Sequence, residues 1–222
     1  MNPLVTVRTL AAAAVLLGAA STNAENLRHY EVKITNATKA QVFSPPVLVT
    51  HSRSVALFEV GTAALDELAE VAEDGVGQPL ADFASTLPAV IEAQATSAPL
   101  MPGASAVYAI KGTRSSVLSS VGMLVNTNDA FFGLNSRPLP KLKGQSLAYT
   151  VVAYDSGTEA NNEDCAFIPG PACPPNSGNA RSPVDAEGYV YVHNGVHGIA
   201  DLIPSSADWR NPVARITITR TR

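Results

Sequence analysis

The run Leu147-Ala148-Tyr149-Thr150-Val151-Val152-Ala153-Tyr154, leading into Asp155-Ser156-Gly157-Thr158-Glu159, decides the class of this 222-residue chain. Apolar, aromatic and β-branched residues at strand length, closed by a turn-forming cluster, read as a buried β-strand. A run of the same kind, Val121-Gly122-Met123-Leu124-Val125, comes earlier and continues through Asn126-Thr127-Asn128-Asp129 to Ala130-Phe131-Phe132-Gly133. Each brings acidic and amide side chains to one end. If the two ends lie side by side, Asn128 and Asp129 face Asp155 and Glu159. Carboxylates held that close repel; a cation between them relieves the repulsion, and oxygen-only ligands favour a hard ion such as calcium. The competing reading is turn chemistry, since Asn-Asp and Asp-Ser-Gly form turns whatever else they do.

Outward from these runs the chain keeps a β rhythm. Tyr30, Val32 and Ile34 alternate with polar residues, Ala106, Tyr108 and Ile110 keep the same period of two with Val107 and Ala109 between them, and Arg215 to Arg220 alternates strictly. Ser116 to Asn126 and Gly144 to Tyr154 read as buried strands, and Tyr189 to His193 as a further one. Pro45-Pro46 interrupts the apolar run from Gln41 to Thr50, which predicts a bent or edge strand. Over residues 62 to 74 the period changes: Leu65, Leu68 and Ala72 share a face opposite Asp66, Glu67, Glu70 and Glu73, an amphipathic helix with Thr62 as cap and Gly75 as stop. Glu73 and Asp74 sit at the end where the helix dipole prefers cations. A shorter helical piece is expected from Pro79 to Thr86, and the small, polar residues 92 to 104 read as a connection. Residues 156 to 186 form one long Gly, Pro, Asn and Ser-rich loop. Roughly seven strands without a β-α alternation predict a mainly β fold. The expected architecture is a two-sheet antiparallel β-sandwich with one inserted amphipathic helix, a single domain over 27 to 222.

The formal charge is −4, and no more than two cations are adjacent, so the sequence lacks the basic footprint of a nucleic-acid binder. Arg8, the apolar run Leu10 to Ala20 and Thr22-Asn23-Ala24 have the three parts of a secretory signal over residues 1 to 24. Cleavage after Ala24, or after Ala20, gives a secreted or periplasmic product. No other stretch is long enough for a transmembrane segment. The two cysteines, Cys165 and Cys173, stand in the Pro/Gly-rich loop, and in an oxidising compartment they read as a disulfide.

With these residues in place, the chain resembles the spondin amino-terminal domain family, over roughly residues 29 to 220. The resemblance rests on Tyr30 to Asn36, on Leu65 to Gly75, on Asn128-Asp129-Ala130-Phe131-Phe132-Gly133-Leu134 and on Tyr154-Asp155-Ser156-Gly157-Thr158-Glu159. Ala130 stands where the family usually has Trp, and Glu159 where it has Asp. The resemblance implies a β-sandwich with calcium at one end, ligands drawn from Asp129, Asp155 and Glu159, and an adhesion or ligand-binding role without catalysis. The expected partner is a cell-surface or extracellular matrix component.

Other residues also carry chemistry-bearing side chains. His193 and His197 flank Asn194-Gly195, and His51 lies far away in sequence; zinc or copper on these histidines competes with a plain hydrogen-bonded role. Trp209 reads as a loop plug against the sandwich. No G-x-S-x-G, H-E-x-x-H or phosphate-cradling glycine loop occurs. The alternative function is a carbohydrate-directed enzyme or lectin-like module using the same loop face, its acids near 155 to 164.

Overall fold

A computed structural model describes residues 27–222; the expected signal at 1 to 24 lies outside the described residues. The elements are β1 (Arg28–Asn36), β2 (Val47–His51), α1 (Asp66–Asp74), α2 (Gln78–Ser85), β3 (Val90–Ala95), β4 (Ser105–Gly112), β5 (Val117–Met123), β6 (Ala130–Pro138), β7 (Ser146–Asp155), β8 (Tyr191–Val192), α3 (Pro204–Ala207) and β9 (Ala214–Arg220). Every strand pairing is antiparallel, in the order β3-β2-β5-β6-β7-β9-β1-β4 with β8 also on β7. The fold is mainly β, as the alternation predicts.

β7 belongs to both layers of the sandwich. Its first part, Ser146 to Val151, pairs with β9, and its last part, Val152 to Asp155, pairs with β6. The two outermost strands then approach each other, and side chains bridge the seam. The Lys111 N–H donates to Glu92 Oε2 at 2.6 Å, Gln94 Nε2 to the Ala109 carbonyl at 2.9 Å, and Thr50 Oγ1 to the Lys111 carbonyl at 2.6 Å. The sandwich is thereby nearly closed into a barrel, which blunts two sheet edges that would otherwise offer unpaired backbone groups.

Two cores explain the sequence pattern. The inner one joins Val32, Ile34, Leu118, Phe132, Leu134, Ile216 and Ile218 across the sandwich. The second lies outside it, where Leu68, Val71, Leu80 and Ala84 of the helices cover Val47, Val49, Val121 and Phe131. β2 and β5 are therefore buried on both faces and carry no alternation, whereas β1 and β9 turn one face to solvent and alternate. The helical insertion covers a side of the sandwich.

Several expectations change. β2 is an interior strand between β3 and β5; Pro45-Pro46 precede it and set off an isolated bridge at Phe43, so no ladder donor is lost. The first residues of the expected connection, 92 to 95, belong to β3, whose Ala93 and Ala95 are small enough to admit the helical layer. Residues 121 to 133 are a reversal rather than one run: β5 ends at Met123, and Thr127 Oγ1, bonded to the Leu124 carbonyl at 2.6 Å and to the Ala130 N–H at 3.0 Å, turns the chain into β6. Leu65, not Thr62, occupies the cap of α1, while Gly75 closes it at φ 69° with its N–H on the Val71 carbonyl. The acidic end of that helix finds its cation in the long loop: Arg181 pairs with Glu73 at 2.9 Å and with Asp74. The expected strand from Tyr189 to His193 is the two-residue β8.

Candidate metal centre

Antiparallel register brings the two acidic segments to one corner. Asp129 stands one residue before β6, whose first residue Ala130 is paired with Asp155, the last of β7. The Ser156 N–H then donates to the Asp129 carbonyl at 3.2 Å, which holds the β5–β6 turn against the chain leaving β7. Asn128, Asp129, Asp155 and Glu159 are all buried.

Asp129 is the centre of the group. Its Oδ2 accepts hydrogen bonds from Ser156 Oγ at 2.8 Å, the Thr158 N–H at 2.9 Å and the Glu159 N–H at 3.1 Å. Its Oδ1 is buried with no partner among the described residues. Burial pushes its carboxyl above the usual range, although the Glu159 N–H and the Ser156 hydroxyl pull the other way. Asp155 Oδ1 accepts the Gly157 N–H at 2.8 Å, an Asx turn, and Oδ2 accepts Asn161 Nδ2 at 2.6 Å. Burial, then the neighbouring Asp129 charge, lifts Asp155 to about 8. Glu159 Oε1 accepts the Ser182 N–H at 2.8 Å, while Oε2 is buried without a partner among the described residues. Burial raises it to about 7, with the Glu73 and Asp129 charges adding and the Ser182 N–H and Arg181 opposing. The Asp129 charge thus raises both of the other carboxyls.

The sequence-predicted residues divide into two roles. Asp129 and Glu159 each offer a free buried oxygen, and Asp155 adds a carboxylate engaged on both oxygens. Asn128 braces the loop: its Nδ2 donates to Asn162 Oδ1 at 3.0 Å and its Oδ1 accepts the Glu163 N–H at 3.3 Å. As the side chains lie, no three His, Cys, Asp or Glu among the described residues stand together as a group that could hold a metal ion. The donors fit calcium in kind, being oxygens throughout, and the two orphaned acceptors are what a buried cation would satisfy.

Turn chemistry is present at the same corner. Asx turns recur along the long loop, with the Asp164 N–H on Asn162 Oδ1 at 3.0 Å and the Ala166 N–H on Asp164 Oδ1 at 2.8 Å. The loop is pinned further by the Cys165–Cys173 disulfide and by Ile168, which inserts into the inner core.

Two residues that the sequence did not single out organise the neighbourhood. The Glu163 carboxylate accepts three successive N–H groups, His197 at 2.5 Å, Gly198 at 2.6 Å and Ile199 at 3.0 Å, tying the long loop to the 193–203 segment. Asn161 Nδ2 reaches Asp155 Oδ2 and, at 2.8 Å, the Tyr191 hydroxyl, which donates to Glu187 Oε1 at 2.9 Å. His193 stands beside them: its Nε2 contacts Asn161 Oδ1 at 3.1 Å, its Nδ1 accepts the Gly195 N–H at 2.9 Å, and its ring lies 5.0 Å from Trp209. Burial lowers it to about 4, so it is neutral. Its partners make His193 a hydrogen-bonded histidine of the loop layer. His51 lies at the far end of β2 against Ser119 Oγ, 2.8 Å away. Trp209 plugs the inner core as expected. No family model matches the chain, and a search of curated proteins finds no significant match.

Proposed function

We propose that the mature chain is an exported, calcium-binding β-sandwich module of the spondin-like kind, acting in adhesion or ligand binding and not in catalysis. One observation carries the calcium part: Asp129 Oδ1 and Glu159 Oε2 are buried acceptors without partners among the described residues, on carboxyls that burial pushes up, beside a third raised carboxyl at Asp155. A buried anion without a partner is costly, and a divalent cation removes that cost. Asp129 and Glu159 would supply the free oxygens and Asp155 the third carboxylate, with main-chain carbonyls and water completing the six to eight oxygens that calcium takes. Bound there, the ion would supply fixed positive charge that orders the loops at this end.

Export is supported by the signal pattern of residues 1 to 24 and by the disulfide. Among the described residues no helix is long and apolar enough to cross a membrane. A binding role is supported by the long loop, which carries no helix or strand from 156 to 190 yet is fixed by a dense polar network. Thermal unfolding of the mature protein, first in chelator and then in calcium, tests the proposal. Calcium at about 100 times its Kd adds roughly 2.7 kcal/mol. An unchanged melting temperature at millimolar calcium would overturn it.

A further inference from the structure

Cations scattered through the sequence converge at the pole opposite the carboxylates, roughly 25 Å away along β6. Register sets this pole: Arg28 pairs with Gly112, Val117 with Pro138, and Ser146 with Thr219. Exposed Lys111 and Arg114 leave β4 here, and Lys141 and Lys143 ride the β6–β7 loop. Arg28 and Arg220 both donate to the Lys141 carbonyl, gathering the β1 start and the β9 end around that loop. The Arg137 guanidinium lies 5.8 Å from the Tyr149 ring, and the Arg53 charge also acts on this tyrosine. Among the described residues none of these cations is in an ion pair; the ion pairs formed by Arg181 and Arg210 belong to the loop end.

Apolar surface accompanies the charge. Leu142, between Lys141 and Lys143, is 69% exposed, and Leu27, next to Arg28, is 56% exposed. Leu142 itself, with Pro138, Leu139 and Leu147, lines a hollow of about 410 Å³ to which Arg114 and Lys141 also contribute. A polyanionic sugar chain asks for cations alone. An exposed leucine between lysines over an apolar hollow matches an anionic lipid surface, where the lysines meet headgroups and the leucine enters the acyl boundary.

We infer that this basic pole docks the protein peripherally on anionic phospholipid bilayers, with the Lys141-Leu142-Lys143 tip as the inserted element. The contact needs no calcium, so it stands whether or not the carboxylate corner binds metal.

Co-sedimentation with vesicles, in chelator, tests it. The mature protein is expected to pellet with phosphatidylcholine vesicles containing phosphatidylglycerol and to stay in solution with phosphatidylcholine alone, and roughly 1 M salt should release it. Replacing Lys141 and Lys143 together by Ala should weaken binding about 25-fold, each lysine near the surface being worth about fivefold. Leu142→Ser leaves the charge unchanged and should also weaken vesicle binding, while retention on a sulfated polysaccharide resin stays the same. Unfolding midpoints matching the parent establish that these loop variants fold. Failure to pellet with the charged vesicles overturns the proposal. So does equal binding of Leu142→Ser, resin retention without vesicle binding, or self-association in place of vesicle binding.

Discussion

The Glu159 N–H donates to Asp129 Oδ2 at 3.1 Å, while the second carboxylate oxygen of each residue is buried and has no partner among the described residues. The main chain thus holds together two carboxyl groups whose second oxygens have no hydrogen-bond partner among the described residues. Asp129→Asn separates a ligand role from a structural one. The amide oxygen still accepts the Ser156, Thr158 and Glu159 donors, and one buried charge is gone. In chelator, the variant should be at least as stable as the parent. The calcium-linked gain of roughly 2.7 kcal/mol should vanish. Denaturant unfolding with and without calcium checks both; loss of stability in chelator with the calcium gain retained contradicts the ligand role.

The raised carboxyls give a pH signature with a definite sign. Asp155 at about 8 and Glu159 at about 7 hold their protons in the folded state far above the ordinary 3.8 and 4.5. Folding therefore takes up protons between those limits, so this stability is full below about pH 4 and is lost as pH rises through 7 to 8. His193, lowered to about 4, and His51, lowered by burial, act oppositely: their contribution is full above about pH 6.5 and falls in acid. Above pH 6.5 only the carboxylate effect remains. Stability in chelator should decline from pH 6.5 to 8.5, and calcium should abolish the decline. Urea midpoints across this range measure it.

Glu163 should be the most sensitive loop residue outside the carboxylate group. Glu163→Ala strands the N–H groups of His197, Gly198 and Ile199 and should cost about 3 kcal/mol. Amide hydrogen exchange at 197 to 199 should accelerate ahead of exchange in β1 and β9. Uniform acceleration through the sheet would mean that the loop and the barrel unfold as one.

The disulfide has a local task. Cys165 and Cys173 are eight residues apart, so chain entropy limits its worth to at most roughly 2.5 kcal/mol. Replacing both by Ser should lower stability by no more than that and expose the 156–190 loop to proteolysis while β7 and β9 stay protected. Limited proteolysis followed by mass spectrometry reads the first cuts.

Much of this was legible in the sequence because it is local or periodic. The alternation of β1, β4 and β9, the stop of α1 at Gly75 and the Cys165–Cys173 pair each follow from neighbouring residues. β3 was not legible: Glu92-Ala93-Gln94-Ala95 has little β preference, and the segment is a strand because β2 supplies its ladder and the helices cover it. Nor was Glu163, whose partners lie more than 30 residues on. The basic pole is hidden for the same reason, since Arg28, Arg114, Lys141 and Arg220 meet only after the barrel forms. At the carboxylate corner, the two strand ends made the approach of Asp129 and Asp155 legible, while the orphaned oxygens became visible only with the hydrogen bonds in hand.

Calorimetric titration of calcium into chelator-treated mature protein at pH 7 tests the central claim most directly. Saturable heat at one ion per chain is expected, with a buffer-dependent part from protons released by the raised carboxyls, and Asp129→Asn should abolish it. No heat up to millimolar calcium, or the same heat from Asp129→Asn, would contradict a calcium centre at this corner.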